Sequence, residues 1–256
     1  MTPRFPAIAY ATPLATDALV QLAIELDANA SSIAGGELYG PQCVHARTLQ
    51  ASCRAQVDPQ QSTLRIDAPD PCYWSPTLPF LYQLTLWSSD NATPQSRSLG
   101  LRRLCPHRVN LREENRRVVL RGAFVERIDP EALPSARESD ATLWTIDPSD
   151  DECRMASELG VRLIADVRRS GHALQDVLAR LTWYPAVAVA VVDRSQCETL
   201  AANQGQRDGG QWGGLLLAVE PSTTEGELDL PRNAHLAVAE FAADDAPPAW
   251  MSQCNR

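Results

Sequence analysis

The sequence predicts a two-domain chain of β plus α/β class: an immunoglobulin-like β-sandwich over residues 1–116, then a shortened (β/α) barrel-like domain over residues 117–256. Three observations carry that reading. Before residue 116, short alternating strands are separated by Gly, Pro, Asn and Ser turns, with no helical period. Beyond it, helical patterns alternate with continuous apolar runs, the texture of parallel βα units. Between the two lies Val118–Arg127, VVLRGAFVER, an apolar strand interrupted by Arg121-Gly122 where the texture changes.

Composition narrows the function classes. Apolar residues at 44% and charged residues at 21% suit an ordinary globular protein. A net charge of −9 argues against a nucleic-acid partner. All 23 basic residues are arginine, which removes Schiff-base chemistry and the P-loop lysine; a bias in base composition accounts for it. The seven cysteines form no C-x-x-C pair, so a disulfide framework or zinc site is not expected and most read as small buried hydrophobes. His45, His107, His172 and His235 lack metal-ligand spacing, and no G-x-S-x-G, P-loop or G-x-G-x-x-G is present. Neither a metal nor a cofactor is expected. No signal-peptide core and no membrane-length apolar run is visible, so a cytoplasmic location is the expectation. The Asn29-Ala-Ser31 and Asn91-Ala-Thr93 sequons then carry no weight.

In chain order, residues 1–17, with three prolines, read as an irregular lead-in. Val20, Leu22, Ile24 and Leu26 alternate with Gln21, Ala23, Glu25 and Asp27, a half-buried strand. Ala30–Gly40, containing Gly35-Gly36, reads as a loop. Strands follow at Val44–Leu49, Ser52–Val57, Thr63–Ile66, Phe80–Trp87 and Arg97–Leu104. Leu111–Leu120 reads as a hairpin turning at Glu114-Asn115. In the second half a short or absent helix is expected within Arg127–Asp140, then a strand at Ala141–Asp147. Ser149-Asp-Asp-Glu152 is a capping box for a helix that stops at Gly160. Val161–Val167 is the next strand, and Ser170 caps a helix carrying Leu174, Val177, Leu178 and Leu181. Ala186–Val192 is a strand buried on both faces, and Ser195-Gln-Cys-Glu198 a second capping box. After the glycine-rich loop Gln204–Gly214 come strands at Leu215–Glu220 and His235–Phe241.

Pro71–Leu84, PCYWSPTLPFLYQL, resembles the "LWSP-x-x-P-x-LY-x-L" segment of glycoside hydrolase family 2, which includes β-galactosidases, β-glucuronidases and β-mannosidases. Gly100-Leu101-Arg102 resembles its "GFR" strand, Leu120-Arg121-Gly122 the "LRG" that opens its barrel, and Trp183–Val187 its "N-H-P-S-V". Asp140–Val167 resembles a further barrel segment, with Pro148, Glu158 and Gly160 aligned. The resemblance implies a sandwich followed by a TIM barrel. A full barrel needs about 250 residues, and the family's separate sugar-binding domain has no counterpart here, so a truncated or partly open barrel is expected. Trp74 and Tyr82 are expected to be core residues.

Retaining glycosidases use two carboxyl groups about 5–5.5 Å apart, one nucleophile and one acid/base. The resemblance places Ser195 at the family's acid/base, Leu143 at its arginine, and Ile146 and Glu126 at two of its histidines. A serine without a neighbouring base cannot protonate a leaving group at neutral pH. Leu236–Asp244, LAVAEFAAD, resembles the nucleophile strand, with Glu240 at the nucleophile. Independently of any family, nearly every candidate strand ends in an acid: Glu126, Asp147, Asp166, Asp193, Glu220 and Glu240. Such a ring could raise one carboxyl pKa, hold a divalent cation, or merely supply helix caps. The candidate catalytic set is therefore Glu240, Asp193 and Asp166, and the candidate sugar contacts are Glu126, Trp183 and Tyr184 if they flank the strand ends. The reading that follows is a glycosidase-like protein without catalysis, serving carbohydrate binding or a protein interaction. One alternative is an active hydrolase using Glu240 with Asp193 or Asp166. The other is a subunit whose open barrel is completed by oligomerisation.

Overall fold

The computed structural model describes residues 5–27, 33–58, 63–89, 93–107, 110–203, 212–224, 227–240 and 250–251. Eight strands come first: β1 (Ala7–Ala15), β2 (Leu19–Leu26), β3 (Ile33–Gln42), β4 (Ala51–Arg54), β5 (Gln56–Asp58), β6 (Thr63–Pro69), β7 (Leu81–Ser88) and β8 (Gln95–Leu99). They form two antiparallel sheets, ordered β1-β2-β6-β5 and β4-β3-β7-β8. The alternation in β2 places Val20, Leu22 and Ile24 against Leu38, Leu84 and Leu86 of the other sheet, a sandwich core closed to water.

Several local expectations are corrected. The lead-in contains β1, whose Pro13 sits at a register shift on an edge strand, where no ladder donor is required. The expected loop at 30–40 contains β3. Its Gly35 and Gly36 are not turn residues: a Cβ there would lie 2.8 Å from Trp87 and 2.6 Å from Leu86, so they let two large β7 side chains cross the strand. Val44–Leu49 forms no strand, with Val44 and Leu49 both exposed. Ser52–Val57 is two strands: β4 pairs with β3 in one sheet and β5 with β6 in the other, so the chain changes sheets at Ala55.

A three-stranded meander follows: β9 (Leu104–His107), β10 (Asn110–Glu113) and β11 (Arg116–Val118). Glu114 and Asn115 both take positive φ, as a tight two-residue hairpin turn requires. The remaining elements are β12 (Gly122–Phe124), α1 (Leu133–Glu138), β13 (Thr142–Ile146), α2 (Asp150–Leu159), β14 (Leu163–Asp166), α3 (Leu174–Thr182), β15 (Val187–Val191), α4 (Arg194–Asn203), β16 (Leu216–Val219), β17 (Ser222–Thr224), β18 (Glu227–Asp229) and β19 (Leu236–Ala237). Six of these strands make one parallel sheet, β12-β13-β14-β15-β16-β19, and β17 and β18 pair as a hairpin. The architecture is a sandwich followed by a partial barrel.

The capping box at Ser149 and Glu152 is formed in full, and Gly160 ends α2 with φ 78°. Ser170 does not cap α3; its hydroxyl donates to Asp147 and Ala173 occupies the cap position. The second capping box is likewise absent. α4 starts at Arg194, which places Ser195 inside the first turn, and Glu198 pairs with Arg194 at 2.8 Å. The parallel sheet is covered on both faces. Leu143, Leu163 and Ala165 pack under the α2 and α3 residues Cys153, Ala156, Val177 and Leu178. On the opposite face Leu104, Leu111 and Val118 of the meander cover Val189, Val191 and Leu216. The glycine-rich loop lies largely outside the described residues. No helix among the described residues is long and apolar enough to cross a membrane.

The sandwich and the parallel sheet interlock. Trp74 leaves the sandwich for the core under α2, where its indole N–H donates to the Ser157 carbonyl at 2.8 Å. Trp183 enters the sandwich core in return, is only 1% exposed, and donates to the Ile8 carbonyl at 2.9 Å. Gly160 lies against Pro76 and Gly100 against Pro185 so closely that a Cβ would meet them at 2.3 and 2.5 Å. Arg102, buried and without a carboxylate partner among the described residues, donates to the Thr182 carbonyl at the end of α3 (2.5 Å) and to that of Val187 (3.2 Å). The negative end of the helix dipole suits that cation.

Candidate functional site

In a parallel sheet all carboxyl ends point one way, so residues that follow strands converge on one rim. On that rim a cleft of about 460 Å³ is lined by Phe124, Trp144, Ile146, Asp166, Arg168, Arg169 and Glu240. Asp166 ends β14 and is buried. Arg168, two residues on, donates from Nε to Asp166 Oδ1 at 3.0 Å and from Nη2 to Oδ2 at 2.5 Å. The same Nη2 also donates to Glu240. One nitrogen bonded to both carboxylates holds them within about two hydrogen-bond lengths, roughly 5–6 Å.

The electrostatics follow from that arrangement. Burial opposes ionisation of Asp166, but the side-chain and backbone hydrogen bonds from Arg168, its charge, and a bond from Trp144 outweigh it and hold the carboxyl below its usual range. Arg168, bonded to Asp166 and Glu240, is held protonated beyond its already high range. Asp166 is therefore held as the anion, and one guanidinium is shared between its carboxylate and that of Glu240. Beside them Phe124, 56% exposed, Ile146 and Trp144 provide an apolar wall. An aromatic face next to fixed hydrogen-bonding groups suits a sugar ring.

The other candidates lie elsewhere. Asp193 opens onto a separate groove with Val192, Arg194, Glu220, Pro221 and Ser222, which shares Arg168 as a wall. Ser195 is exposed on α4. Glu126 is exposed past the end of β12 and outside the cleft. Trp183 and Tyr184 precede β15, at the amino end of the sheet, opposite the rim. Trp183 is buried there, away from the rim, and Tyr184 lines a separate pocket with Arg97 and Pro185. Ile146 faces the cleft, whereas Leu143 is buried under the helices. Phe241 and the rest of that motif fall outside the described residues. Three of the six strand-end acids are ion-paired: Asp147 with Arg180, and both Asp166 and Glu240 with Arg168. Among the described residues no three His, Cys, Asp or Glu side chains converge as a metal site would require. Sequence reasoning missed Arg168 and Trp144. The signals were present: Asp-x-Arg at a strand end, and Trp144 with Ile146 on one face of a strand by the period of two.

No family model matches the chain, and no curated protein matches it. Solved structures do. A β-glycosidase from Bacteroides vulgatus superposes with a TM-score of 0.60 at 11% identity, over 84% of this chain and 33% of that one. A β-glucuronidase from Ruminococcus gnavus gives 0.59 at 12% identity, over 90% and 45%. A glycosyl hydrolase family 2 member from Bacteroides cellulosilyticus gives 0.56 at 16% identity, over 83% and 34%. The fold is glycoside-hydrolase-family-2-like. The chain spans a third to under half the length of these structures.

Proposed function

We propose that this chain is a carbohydrate-binding protein that uses the cleft of a glycosidase-like fold without hydrolysing glycosides. It reads as an immunoglobulin-like sandwich and a truncated, degenerate (β/α) barrel meeting near residue 116. The observation that carries the reading is Arg168, bonded at once to Asp166 and Glu240 beside Trp144 and Phe124. A retaining mechanism needs one ionised and one protonated carboxyl; Arg168 opposes the protonated form of Asp166, the buried member of the pair. The same three groups offer fixed donors and acceptors to sugar hydroxyls, and the aromatic wall offers a stacking face. The solved structures it resembles act on glycosides by their names, which fits a saccharide as the ligand.

The test combines binding and turnover on the full chain. Saccharides titrated while tryptophan fluorescence is followed are expected to bind, with binding lost in Trp144→Ala, and a panel of chromogenic aryl glycosides is expected to give no turnover. Turnover abolished by Glu240→Gln would establish the second reading, a hydrolase using Glu240 with Asp166. The closeness of those two carboxylates is the observation that favours it.

A further inference from the structure

We propose that residues 116–124 form a docking edge for an extended acidic peptide segment of a partner protein, added as a strand alongside β12. This goes beyond the cleft reading and does not rest on it. The stretch RRVVLRGAF is continuous in sequence and forms the outer strand of two sheets in succession, β11 in the meander and β12 in the parallel sheet. Thr142 N–H donates to the Arg121 carbonyl at 2.7 Å and Val125 N–H to the Trp144 carbonyl at 2.8 Å, so residues 121, 123 and 125 face β13. By the period of two, Gly122 and Phe124 present their N–H and C=O groups to the side of β12 that no strand among the described residues pairs with. Val119 and Phe124 are more than half exposed along the same edge. An exposed apolar strand with unpaired backbone groups is a template for another strand.

Charge selects the partner. Residues 116–127 hold four arginines and one glutamate, in a chain of 23 basic and 32 acidic residues. Arg116, Arg117 and Arg121 are exposed, and none of them forms an ion pair among the described residues. Arg117 stands directly opposite Arg112 in the ladder, and Arg112 Nε is buried without a hydrogen-bond partner among the described residues. Glu113, opposite Arg116, is engaged elsewhere by Arg162 at 2.5 Å. Like charges facing across a ladder are unfavourable, and an anionic partner relieves them. The open backbone edge and the apolar side chains favour a peptide over a nucleic acid, which the net charge of −9 also repels.

The test is fluorescence anisotropy of a labelled short peptide alternating Glu and Val, titrated with the full chain. Controls are a Lys–Val counterpart and a version N-methylated at alternate amides. Saturable binding of the Glu peptide is expected, at least about tenfold tighter than that of either control. A similar loss is expected in Arg117→Glu/Arg121→Glu, with Arg117→Gln/Arg121→Gln as the milder pair should the first fail to fold. No binding, equal binding of the three peptides, or undiminished binding in the variants would overturn the proposal. So would a single-stranded oligonucleotide that binds more tightly than the Glu peptide, or a dimer in sedimentation that excludes it.

Discussion

The seam between sandwich and parallel sheet and the cleft at the strand ends are held by opposite means. At the seam, apolar and small residues interlock: Trp74 and Trp183 exchange cores, and Gly160 and Gly100 give way to Pro76 and Pro185. At the cleft, charged groups close on one another, Arg168 on Asp166 and Glu240. The resemblance to glycoside hydrolase family 2 is densest at the seam, in WSP, GLR and YP, and thinner at the cleft, where Ile146 departs from the family pattern. Packing geometry tolerates few substitutes, whereas a cleft can lose its chemistry and leave the fold intact. A motif match of this kind therefore reports architecture before activity.

The comparison breaks most readily at the tryptophans. Trp183→Ala and Trp74→Ala are each expected to lose about 3–5 kcal/mol in denaturant unfolding, while Trp144→Ala loses far less and affects binding instead. A Trp183→Ala that unfolds like the parent would dissolve the contrast. Gly122→Ala comes next: a Cβ there would lie 1.5 Å from the Thr142 carbonyl oxygen, so β12 must shift away from β13. A loss of about 3 kcal/mol, or fast amide exchange confined to β12, is expected.

Arg168→Met sharpens the cleft side. At pH 7 it is expected to cost about 1–3 kcal/mol, because the buried Asp166 loses its charged donor, while the exposed Glu240 adds little. Because the folded state depresses the Asp166 pKa, the stability it contributes is present above about pH 4 and is lost as pH falls through the folded value. That acid-side loss is expected to shrink in Arg168→Met, read as melting temperature against pH. His235 supplies a second acid-side signal. Burial lowers its pKa, and its neutral Nδ1 accepts the Leu217 N–H at 3.0 Å beside β19. Stability is therefore expected to fall as pH drops below about 6.5, and the fall to flatten in His235→Gln.

The smallest effects separate a formed cap from an unformed one. Ser149→Ala is expected to cost about 1 kcal/mol, whereas Ser195→Ala, with no cap to lose, stays within about 0.5 kcal/mol. Equal costs would return Ser195 to the role that its spacing from Glu198 suggests.

How much was legible depended on whether a pattern is local. The capping box at Ser149, the turn at Glu114-Asn115 and the buried run Val187–Val191 depend on neighbours in sequence, and they were read correctly. Gly35-Gly36 carries a loop signature in sequence, yet its requirement comes from Trp87 and Leu86 on another strand. Ser195-x-x-Glu198 and Ser170 were misread because a cap signature is satisfied by sequence but formed only if the helix starts there. The place of Trp183 at the amino end of β15 is not legible in the sequence, because composition does not say at which end of a strand a residue lies.

By itself the sequence determined the change from antiparallel to parallel texture, most element identities and the glycosidase-like motifs. These rest on periodicity, cap chemistry and residue identity, which are properties of short stretches. Only the tertiary structure decided that two tryptophans swap cores, that the meander covers the parallel sheet, and that Arg168 joins Asp166 to Glu240, 72 residues away. Those outcomes depend on which surfaces meet once the sheet closes, and the energy of burial and ion pairing resides in contacts that neighbours in sequence cannot make.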